Sequence, residues 1–198
     1  IVGLCIALLI LMIAKDSPDK LQTTPVPQAE EEPLIPSLLA LIKNKQLWLV
    51  ASYGGLMYMS TPVFCGLWGV PFLMFKMHLS KAVAANYISL IFIGWAIAGP
   101  LWGILSSRLG KRKPPMLYGT LGSLITITFF IYAPIESGFT MQIFLFAFGA
   151  FSAGFLPAFA VAKELCNKRY IATSLSFMNM MNMLGIALAQ PLIGFILD

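Results

Sequence analysis

Residues Ala84–Ser106 read AANYISLIFIGWAIAGPLWGILS, a stretch without a single charged side chain. A helix rising 1.5 Å per residue needs about 20 such residues to cross a hydrocarbon core about 30 Å thick, so the stretch can span a bilayer. Hydrocarbon offers no water to pair with the backbone, which leaves the α-helix as the form such a segment takes. Four further runs are long enough to do the same: Leu47–Phe75, Met116–Ala133, Phe139–Ala162 and Ile171–Leu197. Composition agrees. Hydrophobic residues make up 59% and charged residues 11% of the 198 residues, against roughly 45–50% and about 25% in soluble domains. So little charge cannot coat a water-facing surface. The expected fold is all-α, a polytopic membrane helical bundle.

Ile1–Ala14 is apolar but too short to span, and it lacks the basic start and small-residue cleavage site of a signal peptide. It reads as the end of a truncated transmembrane helix, and Asp198 directly after an apolar run suggests a similar cut. The expected organisation is therefore 1–14 as that helix end, 15–46 as a cytoplasmic linker, and 47–198 as a five-helix transmembrane part. Pro25, Pro27, Pro33 and Pro36 with Glu30, Glu31 and Glu32 make the centre of the linker extended and solvated. Its end differs, since Leu34, Leu38, Leu41 and Ile42 recur at helical spacing ahead of Lys43 and Lys45. That pattern fits either a short amphipathic helix on the membrane surface or an extension of the next span.

Charge supplies the orientation. With the linker on one side, alternate loops place Lys15, Lys20, Lys43, Lys45, Arg108, Lys111, Arg112, Lys113, Lys163, Lys168 and Arg169 together, and only Lys76 and Lys81 opposite. The side richer in Lys and Arg is the cytoplasmic one. The formal net charge of +5 is spread in these clusters and forms no stripe for nucleic acid. Cys5, Cys65 and Cys166 are odd in number, without metal-ligand spacing, and read as packing residues.

Glycine and proline interrupt several runs, for example Gly54, Gly55 and Pro62, then Gly94, Gly99 and Pro100, then Gly149, Gly154 and Pro157. Such breaks permit close approach and bending. Pro100-Leu101-Trp102-Gly103 is echoed by Pro191-Leu192-Ile193-Gly194 three runs later, in a helix running the other way. An inverted three-helix repeat produces that relation.

The loop after Ala84–Ser106 continues through Ser107-Arg108-Leu109-Gly110-Lys111-Arg112-Lys113. With Gly103 it resembles the major facilitator superfamily signature G-x-x-x-D-R-x-G-R/K-R/K, found between helices 2 and 3 and again between helices 8 and 9. Gly103, Arg108, Gly110, Lys111 and Arg112 match; Ser107 stands where the family has its acid. The resemblance covers the whole chain and implies the C-terminal half of such a transporter, helices 6 to 11. The N-terminal half of the same protein and helix 12 would lie outside the chain. It also implies a bacterial metabolite permease, sugar-phosphate permeases included, in a cytoplasmic (inner) membrane. In the family the acid pairs across a helix end, so any latch here must be made differently. Gly185, Gln190, Pro191 and Gly194 loosely resemble the family's glycine-proline pattern associated with antiporters, in a form too degraded to argue antiport.

No Asp, Glu, Lys, Arg or His falls inside the five complete runs. That leaves no triad, paired carboxylate or metal cluster for an enzyme, no cofactor, and no proton-relay group, which would belong to the absent half. His78 reads as solvated, and Glu164 as paired with Lys163, Lys168 or Arg169. Trp48 and Trp102 read as members of an interfacial belt. Met178–Met183 read as packing. The candidate solute ligands are neutral: Ser176, Asn179, Asn182 and Gln190, which fall within about a third of one helix circumference, and Tyr53 and Tyr58. The leading expectation is a secondary active transporter moving a small polar solute by alternating access. A membrane solute sensor of the same fold, a drug or siderophore exporter, and a non-transporting scaffold are the alternatives.

Overall fold

The computed structural model describes residues 41–134, 137–167 and 170–197, all within one compact unit, Pro33–Asp198. The expectations for 1–14 and for the linker up to residue 40, Leu34 and Leu38 included, lie outside the described residues. Leu41 and Ile42 are helical and end in a turn at Lys43. The elements that follow are α1 (Lys45–Val63), a π-helical turn (Phe64–Trp68), α2 (Gly69–Met77), α3 (Lys81–Leu109) and α4 (Lys113–Tyr132). After these come α5 (Gly138–Ser152), a 3-10 turn (Ala153–Phe155), α6 (Pro157–Glu164) and α7 (Ile171–Leu197).

They make five spans: Lys45–Met77, Lys81–Leu109, Lys113–Tyr132, Gly138–Glu164 and Ile171–Ile196. Each coincides with an expected run to within a few residues at either end, and charged ends such as Lys45 and Arg108 are still helical. Local chemistry sets those ends. The Asn44 side chain accepts from Gln46 N at 3.0 Å and Leu47 N at 3.2 Å, capping α1. Ser80 and Ser137 cap α3 and α5 in the same manner. Gly110, at φ 59°, ends α3 in the left-handed conformation that glycine adopts without strain.

Packing is pairwise. α1 runs along α7, α3 along α5, α4 lies against α5 and the 3-10 turn, and α6 bridges α1 and α7. One core cluster gathers Leu73, Ile88, Ile91, Phe130, Leu145 and Phe148; a second, nearer the linker end, gathers Leu47, Ala51, Ala158, Ala162, Phe177 and Met178. The first span changes partners at its π turn: α1 packs on α7 and α2 on α3. At the far end Lys76 Nζ donates to Phe130 O, Ile131 O and Ala133 O at 2.7, 2.8 and 3.1 Å, filling the open carbonyls at the end of α4.

Two crossings bring backbone onto backbone. A Cβ at Gly94 would strike Phe146 O, and one at Gly149 would strike Ile91 O, so α3 and α5 can meet as they do only with glycine at both places. At Gly119 a Cβ would come 2.7 Å from the Cα of Gly154, where α4 meets the 3-10 turn. The four-residue echo belongs to a wider match in spacing. Gly94, Pro100 and Gly103 of α3 share their spacing with Gly185, Pro191 and Gly194 of α7. Gly94 abuts the interrupted span α5–α6, and Gly185 abuts the interrupted span α1–α2, 3.0 Å from Gly55 O to a Cβ built on it. Inverting one three-helix set onto the other gives these two pairings.

Gly94→Leu is expected to cost several kcal/mol through overpacking and to remove most folded protein. Gly103→Ala, with nothing within 4 Å of the added carbon, is expected to hold the melting temperature or raise it slightly. Thermal denaturation of the purified variants in detergent checks both.

Candidate functional site

The middle of each of four spans contributes to one region. Tyr58 of α1, Trp95 of α3 and Phe155 of the 3-10 turn form an aromatic cluster. Tyr58 and Phe155 are 5.3 Å apart between ring centroids, Tyr58 and Trp95 6.1 Å, and Trp95 stacks on Phe155 at 5.6 Å and 16°. Phe155 is buried, while Tyr58 and Trp95 are half-buried. α7 brings Asn182, whose amide lies over Gly54, one helical turn along α1 from Tyr58. Asn182 is 2% exposed, and its Oδ1 is buried without a hydrogen-bond donor.

The structure divides the expected polar arc of α7. Asn182 faces α1, Ser176 and Asn179 are exposed, and Gln190 is half-buried. Exposed neutral polar groups within an apolar span are costly against lipid, so this face of α7 suits a water-filled cavity or a further helix. Tyr53 is placed apart from Tyr58. Its hydroxyl donates to Met116 O at 3.0 Å and accepts from Thr120 Oγ1 at 3.2 Å, which ties α1 to α4. Thr61 Oγ1 donates to Ser152 Oγ at 3.0 Å, tying α1 to α5. Met178 is buried beside Gly54 as a packing residue, and Met180 and Met183 are exposed.

Among the described residues Glu164 pairs with Arg112: Oε1 accepts from Arg112 Nη2 at 2.7 Å and from Nε at 2.9 Å, while Arg112 Nη1 donates to Ser106 Oγ at 3.0 Å; Lys168 and Arg169 lie outside the described residues. The pair links the loop after α3 to the end of α6, elements that sequence distance hides. Trp102 is half-buried at the α3–α5 crossing, its indole N–H donating to Ala150 O at 2.7 Å. Around the loop, Gly103, Ser107, Arg108, Gly110 and Lys111 are exposed, whereas Arg112 is half-buried and Ser106 buried.

Sequence reading missed Trp95, Phe155 and Lys76 as placed residues. The one available signal was position: Trp95 and Phe155 each directly follow a glycine, Gly94 or Gly154, that the helix crossings require.

Glycine lets the parallel pairs α1–α7 and α3–α5 and the antiparallel pair α4–α5 pack closely around a neutral polar and aromatic centre. Residues 1–190 match the Major Facilitator Superfamily profile. The chain belongs to the major facilitator superfamily, and it is a multi-pass membrane protein. It is similar to the lysosomal dipeptide transporter MFSD1 of Mus musculus, 26% identical over 141 residues, which are 71% of this chain and 30% of that protein. The chain thus spans about a third of the length of that relative. No solved structure is significantly similar to it.

The Arg112–Glu164 pair is 28% and 54% exposed, so its coupling energy, read from a double-mutant cycle with Arg112→Gln and Glu164→Gln, is expected to be below about 1 kcal/mol and to shrink with added salt. A salt-independent coupling of several kcal/mol would contradict that reading.

Proposed function

We propose that the chain is the C-terminal half of a secondary active transporter that moves a small polar solute by alternating access. The observation that carries this reading is the mid-span region of Tyr58, Trp95 and Asn182 in a member of this superfamily, at the depth where such proteins hold solute. Asn179, Ser176 and Gln190 extend it along α7. The region has hydrogen-bonding groups and ring faces but no charge, so it binds and releases without covalent chemistry, and a coupling charge would come from the other half. The relative's dipeptide makes small peptides the first solutes to try. The sugar-phosphate likeness and the bacterial cytoplasmic membrane rest on the general resemblance of the sequence.

The cation distribution supports a cytoplasmic linker, with Glu31 and Lys111 inside and Lys81 and Glu136 outside. Single cysteines at positions 111 and 81, in a background without Cys5, Cys65 and Cys166, are expected to react with an impermeant thiol reagent from outside at 81 only. Labelling at 111 alone reverses the orientation.

In proteoliposomes, the full-length protein is expected to take up dipeptides against a gradient. Asn179→Ala is expected to reduce uptake several-fold at normal folded yield. Binding of dipeptide without flux would favour the solute sensor, and unchanged uptake would remove Asn179 from the site.

A further inference from the structure

Packing does not explain an amide at position 182. Asn182 Oδ1 is buried with no donor, and burying an acceptor that way is unfavourable. A leucine of similar volume would fill the space without that penalty, and residues 178, 180, 181 and 183 around it are all methionine. The oxygen rests over Gly54: a Cβ there would be 3.4 Å from it. Tyr58 follows on the same face of α1, about 6 Å further along the axis. Its ring adjoins Trp95 and Phe155, and parts of Tyr58 and Trp95 remain open.

We propose that Asn182 Oδ1 and the faces of Tyr58 and Trp95 together form the subsite that holds a protonated amine of the transported solute. This assignment rests on the transporter reading and names the part of the solute that this half of the site recognises. An amide oxygen accepts and cannot donate, so its partner must carry N–H or O–H. Aromatic faces are electronegative, which favours an ammonium over them and disfavours carboxylate or phosphate. An ammonium beside an apolar side chain satisfies both: its N–H groups donate to Oδ1, and the side chain rests on the rings. Anionic groups of the solute are then held outside this subsite. In the structure as it stands the oxygen is covered. Glycine at 54 and 55, where Met181 O would lie 2.8 Å from a Cβ on Gly55, keeps that cover free of side chains on α1, so a small parting of α1 from α7 opens it.

The test uses the full-length protein in proteoliposomes with two probes, phenylalanyl-alanine and its N-acetyl derivative, which keeps the side chain and loses the charge. Wild type is expected to prefer the free amine about tenfold or more in kcat/KM. Asn182→Leu is expected to reduce that preference to less than about threefold through KM, with the melting temperature of the unliganded protein unchanged or raised, because an unpartnered acceptor has been removed. Trp95→Phe is expected to keep the preference and Trp95→Leu to lose it. An undiminished preference in Asn182→Leu overturns the subsite while leaving transport intact, and a lowered melting temperature with the preference retained makes Asn182 a packing residue. Failure of wild type to move either probe overturns the transport reading for such solutes and the subsite with it.

Discussion

Helices in lipid gain nothing by hiding apolar side chains from one another, since the lipid is equally apolar. They associate through close van der Waals contact and a few hydrogen bonds. In this chain that contact is made backbone to backbone at glycine, and the placement of the central side chains follows from it. Gly94 fixes the approach of α3 to α5 and so delivers Trp95; Gly154, against Gly119, delivers Phe155. Gly54 and Gly55 let α7 lie close enough to α1 for Asn182 to reach its face. Trp95 and Phe155 are chain neighbours of residues that cannot be anything but small. Geometry at the centre is therefore a property of the crossings.

That dependence explains what the sequence revealed and what it withheld. All five spans were legible because hydropathy and length are local quantities, and even their caps sit within three residues of the ends. Tyr58 and Asn182 were legible as polar groups in apolar runs, but their proximity was not, since it depends on which helix faces which. The arc on α7 was drawn correctly on a single helix and then divided by α1, which covers Asn182 and leaves Asn179 open. Glu164 was given a partner from its own neighbourhood because helix-end charges usually pair locally. The partner found among the described residues, Arg112, arrives only when α4 and α6 are side by side. The hydrogen bond of Trp102 was hidden for the same reason: its acceptor, Ala150 O, lies on a second helix.

The loop after α3 shows how a motif can keep its mechanics with one member changed. Ser107 replaces the family's acid and is exposed, yet an anion is still supplied at this end of the bundle by Glu164. Arg112 holds that carboxylate and the buried Ser106 hydroxyl together, so the ends of α3, α4 and α6 are joined through one guanidinium. The planar fork of arginine can serve two acceptors in different directions; a lysine could not hold the same geometry. At the opposite end Lys76 does what suits a flexible point charge, bonding three carbonyls of one helix terminus.

The π turn at Phe64–Trp68 carries a consequence for how such a chain can change over generations. A π turn holds one residue more than the α-helical path it replaces, and that surplus rotates everything beyond it by about 100°. The rotation lets α2 present Leu73 to α3 after α1 has presented Ala51 to the core around α6 and α7. Loss of a single codon here would return the span to one continuous helix and swing Lys76 away from the carbonyls of α4. Substitutions within the turn alter a side chain, but a one-residue deletion alters the address of every side chain that follows in the span. The number of codons in the gene and the rotational phase of the helix are, over these five residues, the same constraint.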